Sequence, residues 1–203
     1  VYGMENTIPI SMDELIFLVR AVCRGTEKAL VVADMPFMSY QASVEDAVRN
    51  AGRFVKEGGA GAIKLEGSYP YISQIRAIID AGIPVMGHVG LLPQSFHLSS
   101  GYRIQGKTKL EAEKIYNDAL TLQKNGVFSV VLEGIPSDLS MRITAALDIP
   151  TIGIGAGPDC DGQIQVYHDI LGLYGDLKPK HTKRYGNFGA EIESKLAEYK
   201  KEV

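Results

Sequence analysis

The chain has 203 residues, 45% of them hydrophobic and 22% charged, with a formal net charge of -3. That balance describes a globular domain with one substantial core, and a pI near 5.8 without basic runs argues against nucleic acid or a membrane surface as partner. No apolar stretch approaches the roughly 18 residues that span a bilayer, and no signal peptide is apparent. Cys23 and Cys160 lack metal-like or Cys-X-X-Cys spacing and are expected to be reduced thiols in the cytoplasm. The first residue is Val1, not a methionine, so the natural N-terminus is expected to lie upstream.

Helix and strand alternate along the chain. Ser11-Met12-Asp13-Glu14 is a capping box opening a helix with Leu15, Val19 and Val22 on one face. A strand over 29–34 follows. Ser43 opens a second helix with Val44, Ala47, Val48, Ala51, Phe54 and Val55 at helical spacing, ended by Gly58-Gly59. After a strand over 61–66, a helix near 70–80 closes at Ala81-Gly82, and Ile83 to His88 makes the next strand. Thr108-Lys109-Leu110-Glu111 is another capping box, starting a long helix with Ile115, Ala119 and Leu122 in register. A strand over 127–133, a short helix from Ser137, a strand over 150–155, a Gly-rich loop, a strand over 163–168 and a polar helix from about 188 complete the pass.

Strands separated by helices of ten or more residues form a parallel sheet through right-handed crossovers. No GxGxxG or GxxxxGK[ST] fingerprint follows the first strand, which disfavours an open nucleotide-binding sheet. The expected fold is an α/β (β/α)8 TIM barrel forming a single domain over 1–203. Six strands are identifiable, so two strand-helix units are expected to be missing at the N-terminus; an open six-stranded sheet is the alternative.

Three strands end on charge. Val31-Val32-Ala33 stops at Asp34, Val130-Val131-Leu132 stops at Glu133, and Ala62-Ile63-Lys64-Leu65-Glu66 carries Lys64 and Glu66 two residues apart, on one face. Charged groups leaving buried strands are costly unless something uses or neutralises them, so these strand ends are the candidate site. The connection from Gly90 to Gly106, rich in aromatic and amide residues, is long enough to be a lid or a binding loop.

These segments carry a family resemblance. Val32-Ala33-Asp34-Met35-Pro36-Phe37-Met38, Ile63-Lys64-Leu65-Glu66-Gly67, Gly87-His88-Val89-Gly90-Leu91-Leu92-Pro93-Gln94 and Gly101-Tyr102-Arg103-Ile104-Gln105-Gly106 resemble ketopantoate hydroxymethyltransferases. Leu132-Glu133-Gly134-Ile135-Pro136, Ile152-Gly153-Ile154-Gly155-Ala156-Gly157, Asp161-Gly162-Gln163-Ile164 and His168-Asp169 extend the match, which runs from about Asn6 to about Lys180. The resemblance implies a barrel of the phosphoenolpyruvate/pyruvate group. It also implies transfer of a hydroxymethyl group from 5,10-methylenetetrahydrofolate to 3-methyl-2-oxobutanoate, giving 2-dehydropantoate for pantothenate and coenzyme A synthesis. Carried over by position, Asp34 and Glu66 hold Mg²⁺, Asp34 and Lys64 bind the keto acid, and Glu133 accepts the proton. A large homo-oligomer, such as a decamer, is implied too. The family's further acid, in a Gly-Asp-Ser motif, has no counterpart in this sequence, and its Glu-Cys-Val-Pro is Glu133-Gly134-Ile135-Pro136 here.

The implied chemistry accounts for these residue types. Removing the C3 proton of a 2-oxo acid leaves an enolate, whose charge a hard cation and a lysine stabilise. A partly buried Glu133 is expected to have its pKa raised toward a value useful for a base. The enolate then attacks the one-carbon unit of the folate, with the 90–106 loop holding off water.

Each assignment has a plainer competitor. Lys64 and Glu66 would also serve as a structural ion pair at a barrel mouth, Asp34 as a turn cap before Met35-Pro36, and Glu133 as a solvated rim residue. His88, on the face of Met86, would be a hydrogen-bonded core histidine or a group supporting the substrate site. The glycines of 152–157 would cradle an anion, allow close backbone packing or leave room for the folate. Two rival functions remain: a barrel enzyme working beside a 2-oxo acid without folate, and a non-catalytic homologue. Folate binding and keto-acid-dependent metal binding, respectively, distinguish them.

Overall fold

The computed structural model describes residues 3–4, 6–95, 103–174 and 182–203. Two compact units divide the chain, Val1–Gly162 and Gln163–Val203. The first carries helices α1 (Met12–Gly25), α2 (Val44–Arg53), α3 (Ile72–Asp80), α4 (Lys109–Lys124) and α5 (Ser137–Ala146). Interleaved with them are strands β1 (Val32–Asp34), β2 (Ala62–Lys64), β3 (Val85–Gly90), β4 (Ser129–Glu133) and β5 (Thr151–Ile154). The sheet order is β1-β2-β3-β4-β5-β6, with β6 at Gly162–Gln163, and the pairs from β1 to β5 are parallel. Sequential neighbours joined by helical crossovers are the pattern of a (β/α) barrel wall.

Both capping boxes form: Ser11 and Thr108 each accept from the third helical amide while Glu14 and Glu111 reach back. Helix α2 runs on into a single π turn at Phe54–Gly58, closed by Gly59 at φ 80°. The strands are shorter than their apolar runs suggest. β1 begins at Val32 because Leu30 lies out in solvent, 60% exposed.

The two sheet faces differ in charge: the ionisable strand-end side chains lie on one of them. Ala33, Ile63, Leu65, Val85, Val130 and Leu132 point one way and are buried against helical side chains such as Phe54, Ile75, Ile78 and Leu122. The opposite face carries partly exposed Val32, Asp34, Lys64, Met86, Glu133, Ile152 and Ile154, with Ala62, His88, Ser129 and Val131 buried among them. Alternation along each strand and the parallel register sort the residues this way. The helices therefore cover the outer face, and the side chains singled out above share the inner one.

In the second unit, the strand expected over 163–168 is a correction. Only Gly162–Gln163 is extended, and Tyr167–Leu171 forms a short helix, α6, that contains His168. Gly172 closes it in the left-handed conformation at φ 62°, and the Tyr174 hydroxyl donates to the buried Asp169 at 2.5 Å. Burial, followed by that carboxylate, pushes the Tyr174 hydroxyl up to about 12. Helix α7 (Phe188–Glu202) buries no residue and leaves Phe188, Ile192, Leu196 and Tyr199 exposed at helical spacing. Cys23 and Cys160 form no disulfide. Among the described residues, no helix is long and apolar enough to cross a membrane.

Candidate active site

The register brings the charged strand ends together. Asp34 pairs with Lys64 across β1 and β2, and Lys64 with Met86 across β2 and β3. Lys64 Nζ donates to Asp34 Oδ2 at 2.8 Å and lies 3.6 Å from Glu66 Oε1. Gly90 pairs with Glu133 across β3 and β4, and His88 Nε2 lies 3.3 Å from Glu133 Oε2. Lys64 feels the fields of Asp34, Glu66 and Glu133, while Glu66 feels those of Lys64, His88 and Asp34. The residues anticipated at the site thus form one electrostatically coupled group.

Their environments differ in a useful way. The Glu66 side chain is 3% exposed and that of Asp34 is 50% exposed. Burial pushes the Glu66 carboxyl above the usual carboxylate range, with Lys64 and His88 opposing it. For Lys64, burial pulls the ammonium down, but Asp34 and Glu66 together hold it above the ordinary lysine value. Three acids against one ammonium leave an excess of negative charge at the strand ends.

Glu66 is held by residues that lie outside the strands. Its Oε2 accepts the Gln94 backbone N–H at 3.0 Å. The buried Tyr40 hydroxyl accepts the Glu66 N–H at 3.2 Å and donates to the Glu66 carbonyl at 3.1 Å. Gln94 Nε2 in turn donates to the Met35 carbonyl at 2.7 Å, tying the clamp to the end of β1. Nothing periodic marks Tyr40 or Gln94 as partners of Glu66, and sequence reasoning missed the clamp. The one available signal was the amide and aromatic content of the loops.

His88 is 1% exposed, and among the described residues neither ring nitrogen has a hydrogen-bond partner, because the approach to Glu133 falls outside hydrogen-bond geometry. A buried imidazole without partners is costly. A hydrogen-bonded core histidine would be satisfied; this one is not.

Gly90 sits at φ +97°, where an added Cβ would press on the Glu133 carbonyl oxygen and lie 2.7 Å from Ile135 Cγ2. The Gly-rich turn after β5 shows close packing: a Cβ on Gly157 would lie 3.1 Å from Ser137 Cα. Part of the 90–106 connection is described. Pro93–Ser95 makes a 3₁₀ turn, and the Gln105 N–H donates to the Gly134 carbonyl at 2.8 Å. The remainder, 96–102, lies outside the described residues, as does the Gly101-Tyr102 part of the family motif.

Mg²⁺ uses hard oxygen donors, commonly one or two protein carboxylates completed by substrate oxygens and water. Among the described residues no group of three or more His, Cys, Asp and Glu gathers to hold a metal. Asp34 and Glu66, two carboxylates in a region of surplus negative charge, fit the sparse protein donor set of such an ion.

Residues 1–203 match the ketopantoate hydroxymethyltransferase family. The chain belongs to that family. It is 56% identical over 203 residues to a 3-methyl-2-oxobutanoate hydroxymethyltransferase of Moorella thermoacetica, spanning 100% of this chain and 76% of the relative. It is 55% identical over 201 residues to the enzyme of that name from Geobacter metallireducens, spanning 99% of this chain and 75% of the relative. A solved 2,3-dimethylmalate lyase of the PEP mutase/isocitrate lyase superfamily shares the fold at TM-score 0.56 and 15% identity, covering 74% of this chain and 52% of that one. In this ketopantoate hydroxymethyltransferase family member, as expected of barrels, the charged cluster sits at the carboxyl ends of the strands.

Proposed function

We infer that this chain transfers a hydroxymethyl group from 5,10-methylenetetrahydrofolate to 3-methyl-2-oxobutanoate in the cytoplasm, giving 2-dehydropantoate for pantothenate and coenzyme A synthesis. The observation that carries this reading is the convergence of Asp34, Lys64, Glu66 and Glu133 at the inner-face strand ends of a chain from this family. A Mg²⁺ ion held by Asp34 and Glu66, when bound, supplies positive charge that stabilises the developing enolate.

Lys64 binds the anionic end of the keto acid; its two acidic neighbours keep the ammonium charged despite burial. Glu133, 22% exposed at its side chain and able to face the substrate, removes the proton at C3. His88 stands behind Glu133 as a positioning group, its Nε2 close enough to engage the carboxylate once substrate orders the site. The C3 carbanion equivalent then bonds to the one-carbon unit. Both C–N bonds of the methylene bridge break, and water supplies the hydroxyl oxygen. The C3 proton taken up by Glu133, together with one proton of that water, returns to the folate nitrogens as tetrahydrofolate leaves. The six strands are part of an eight-stranded barrel, and the assembly is a homo-oligomer such as a decamer.

The test is exchange of the C3 proton of 3-methyl-2-oxobutanoate for deuterium, in magnesium-containing buffer, alongside formation of 2-dehydropantoate. Glu133→Gln is expected to slow exchange by about 10²–10⁴-fold while leaving binding of the keto acid nearly intact. Exchange at the wild-type rate in that variant would place the base elsewhere.

A further inference from the structure

A one-carbon donor has to bring its carbon within bonding distance of the nucleophile, so its reactive ring must occupy space adjoining the charged cluster. A cavity of about 180 Å³ meets this condition, because Glu66 is part of its wall. The larger cavity beside the N-terminus of α4, about 390 Å³ and lined by Lys107, Lys109 and Arg142, contains none of the site residues.

The smaller cavity is walled by Phe37, Tyr40 and Tyr71, with the side-chain amides of Gln41 and Gln94 beside them. Tyr40 and Tyr71 meet edge to face with ring centroids 5.3 Å apart, which fixes both rings. Tyr40 and Gln94 are buried and held by the Glu66 clamp, so the back of the cavity is preformed. Phe37, 39% exposed, is open to solvent at the cavity. Gln41 uses its Oε1 for the Tyr40 N–H at 3.4 Å, leaving the amide nitrogen as a donor.

Aromatic walls with a few fixed polar groups suit a flat heteroaromatic ring whose edge carries both donors and acceptors. Sites for drug-sized ligands run to roughly 300–1,000 Å³, so this cavity takes one end of such a molecule and leaves the rest outside. We propose that it seats the pterin ring of the folate co-substrate, with Phe37 and Tyr71 as its aromatic contacts and Gln41 and Gln94 along its edge. The proposal rests on the transfer reaction inferred above. Glu66 touches Gln94 on the cavity side and Lys64 on the other, so the cavity borders the keto-acid site directly.

The experiment is calorimetric titration of the full chain with tetrahydrofolate and, separately, with 3-methyl-2-oxobutanoate. Phe37→Ala is expected to raise the tetrahydrofolate Kd about tenfold, and Gln41→Leu to raise it several-fold, with the keto acid Kd held within about twofold. In the wild-type chain, 6-methyltetrahydropterin should compete with tetrahydrofolate, and p-aminobenzoylglutamate should compete far less. Unchanged tetrahydrofolate affinity in both variants, or competition by p-aminobenzoylglutamate alone, overturns the cavity assignment and leaves the reaction standing. Wild-type chain that binds the keto acid but no tetrahydrofolate overturns the reaction itself, and this assignment with it.

Discussion

Two acids in the first unit, Glu66 just beyond β2 and Asp161 beside the start of β5, show what separates a site from a scaffold. Asp161 Oδ2 accepts the Thr151 N–H at 2.8 Å and the Thr151 hydroxyl at 3.0 Å, and these bonds hold its carboxyl below the ordinary range. Glu66 is pushed the other way: burial raises its carboxyl although Lys64 lies near and Gln94 donates to it. The first carboxylate lowers the energy of the fold by being charged. For the second, burial works against the charged form, a condition typical of groups kept for chemistry.

The contrast can be broken most severely at Lys64. Lys64→Met leaves Glu66 buried without its cation, a change that typically costs about 3–5 kcal/mol. The folded Glu66 carboxyl lies above its unfolded value of 4.5, so the variant's deficit is greatest at high pH. It should shrink as pH falls through the folded value. Urea unfolding of both proteins at pH 8 and pH 5 measures this, and an equal deficit at the two values would mean that Glu66 does not depend on Lys64.

Gly90→Ala tests geometry without touching charge. The added Cβ collides with the Glu133 backbone, and strain of this kind at a positive φ costs about 1–3 kcal/mol. The variant should melt earlier and lose C3 exchange out of proportion to the loss of folded protein. Full activity per folded molecule would show that the Glu133 backbone has room to move.

The smallest effect is expected at the other acid. Asp161→Asn should cost about 1 kcal/mol near neutral pH, a modest figure because the residue is exposed. The folded carboxyl lies below its unfolded value of 3.8, so wild-type stabilisation is complete above that value and is lost as pH falls through the folded one. The two proteins should therefore converge in acid, as the Lys64 pair does, but only below pH 3.8, whereas the Lys64 pair converges around a value above 4.5. Chemical denaturation at pH 6 and pH 3 would reveal any failure to converge.

Much of this arrangement was legible in the sequence, for local reasons. Asp34, Glu66 and Glu133 stood out because apolar strands ended on charge, and Ser11-Glu14 and Thr108-Glu111 because a capping box lies within four residues. Contacts set by register were not legible. No local pattern tells that Gly90 faces Glu133, or that His88 stops 3.3 Å from its carboxylate. Tyr40 reaches Glu66 across 26 positions and Gln94 across 28, with no period to announce either. The segment after Gly162 misled because Ile164, Val166 and His168 alternate with Gln165 and Tyr167 as a strand would. There the left-handed turn at Gly172 and the Asp169–Tyr174 bond favour a helix instead.

The Tyr40 hydroxyl grips the amide and the carbonyl of one and the same residue, Glu66. A peptide segment fastened on both sides has little freedom to swing when a ligand arrives. Accommodation at this strand exit therefore falls to torsions about Cβ and Cγ of the Glu66 side chain rather than to its backbone.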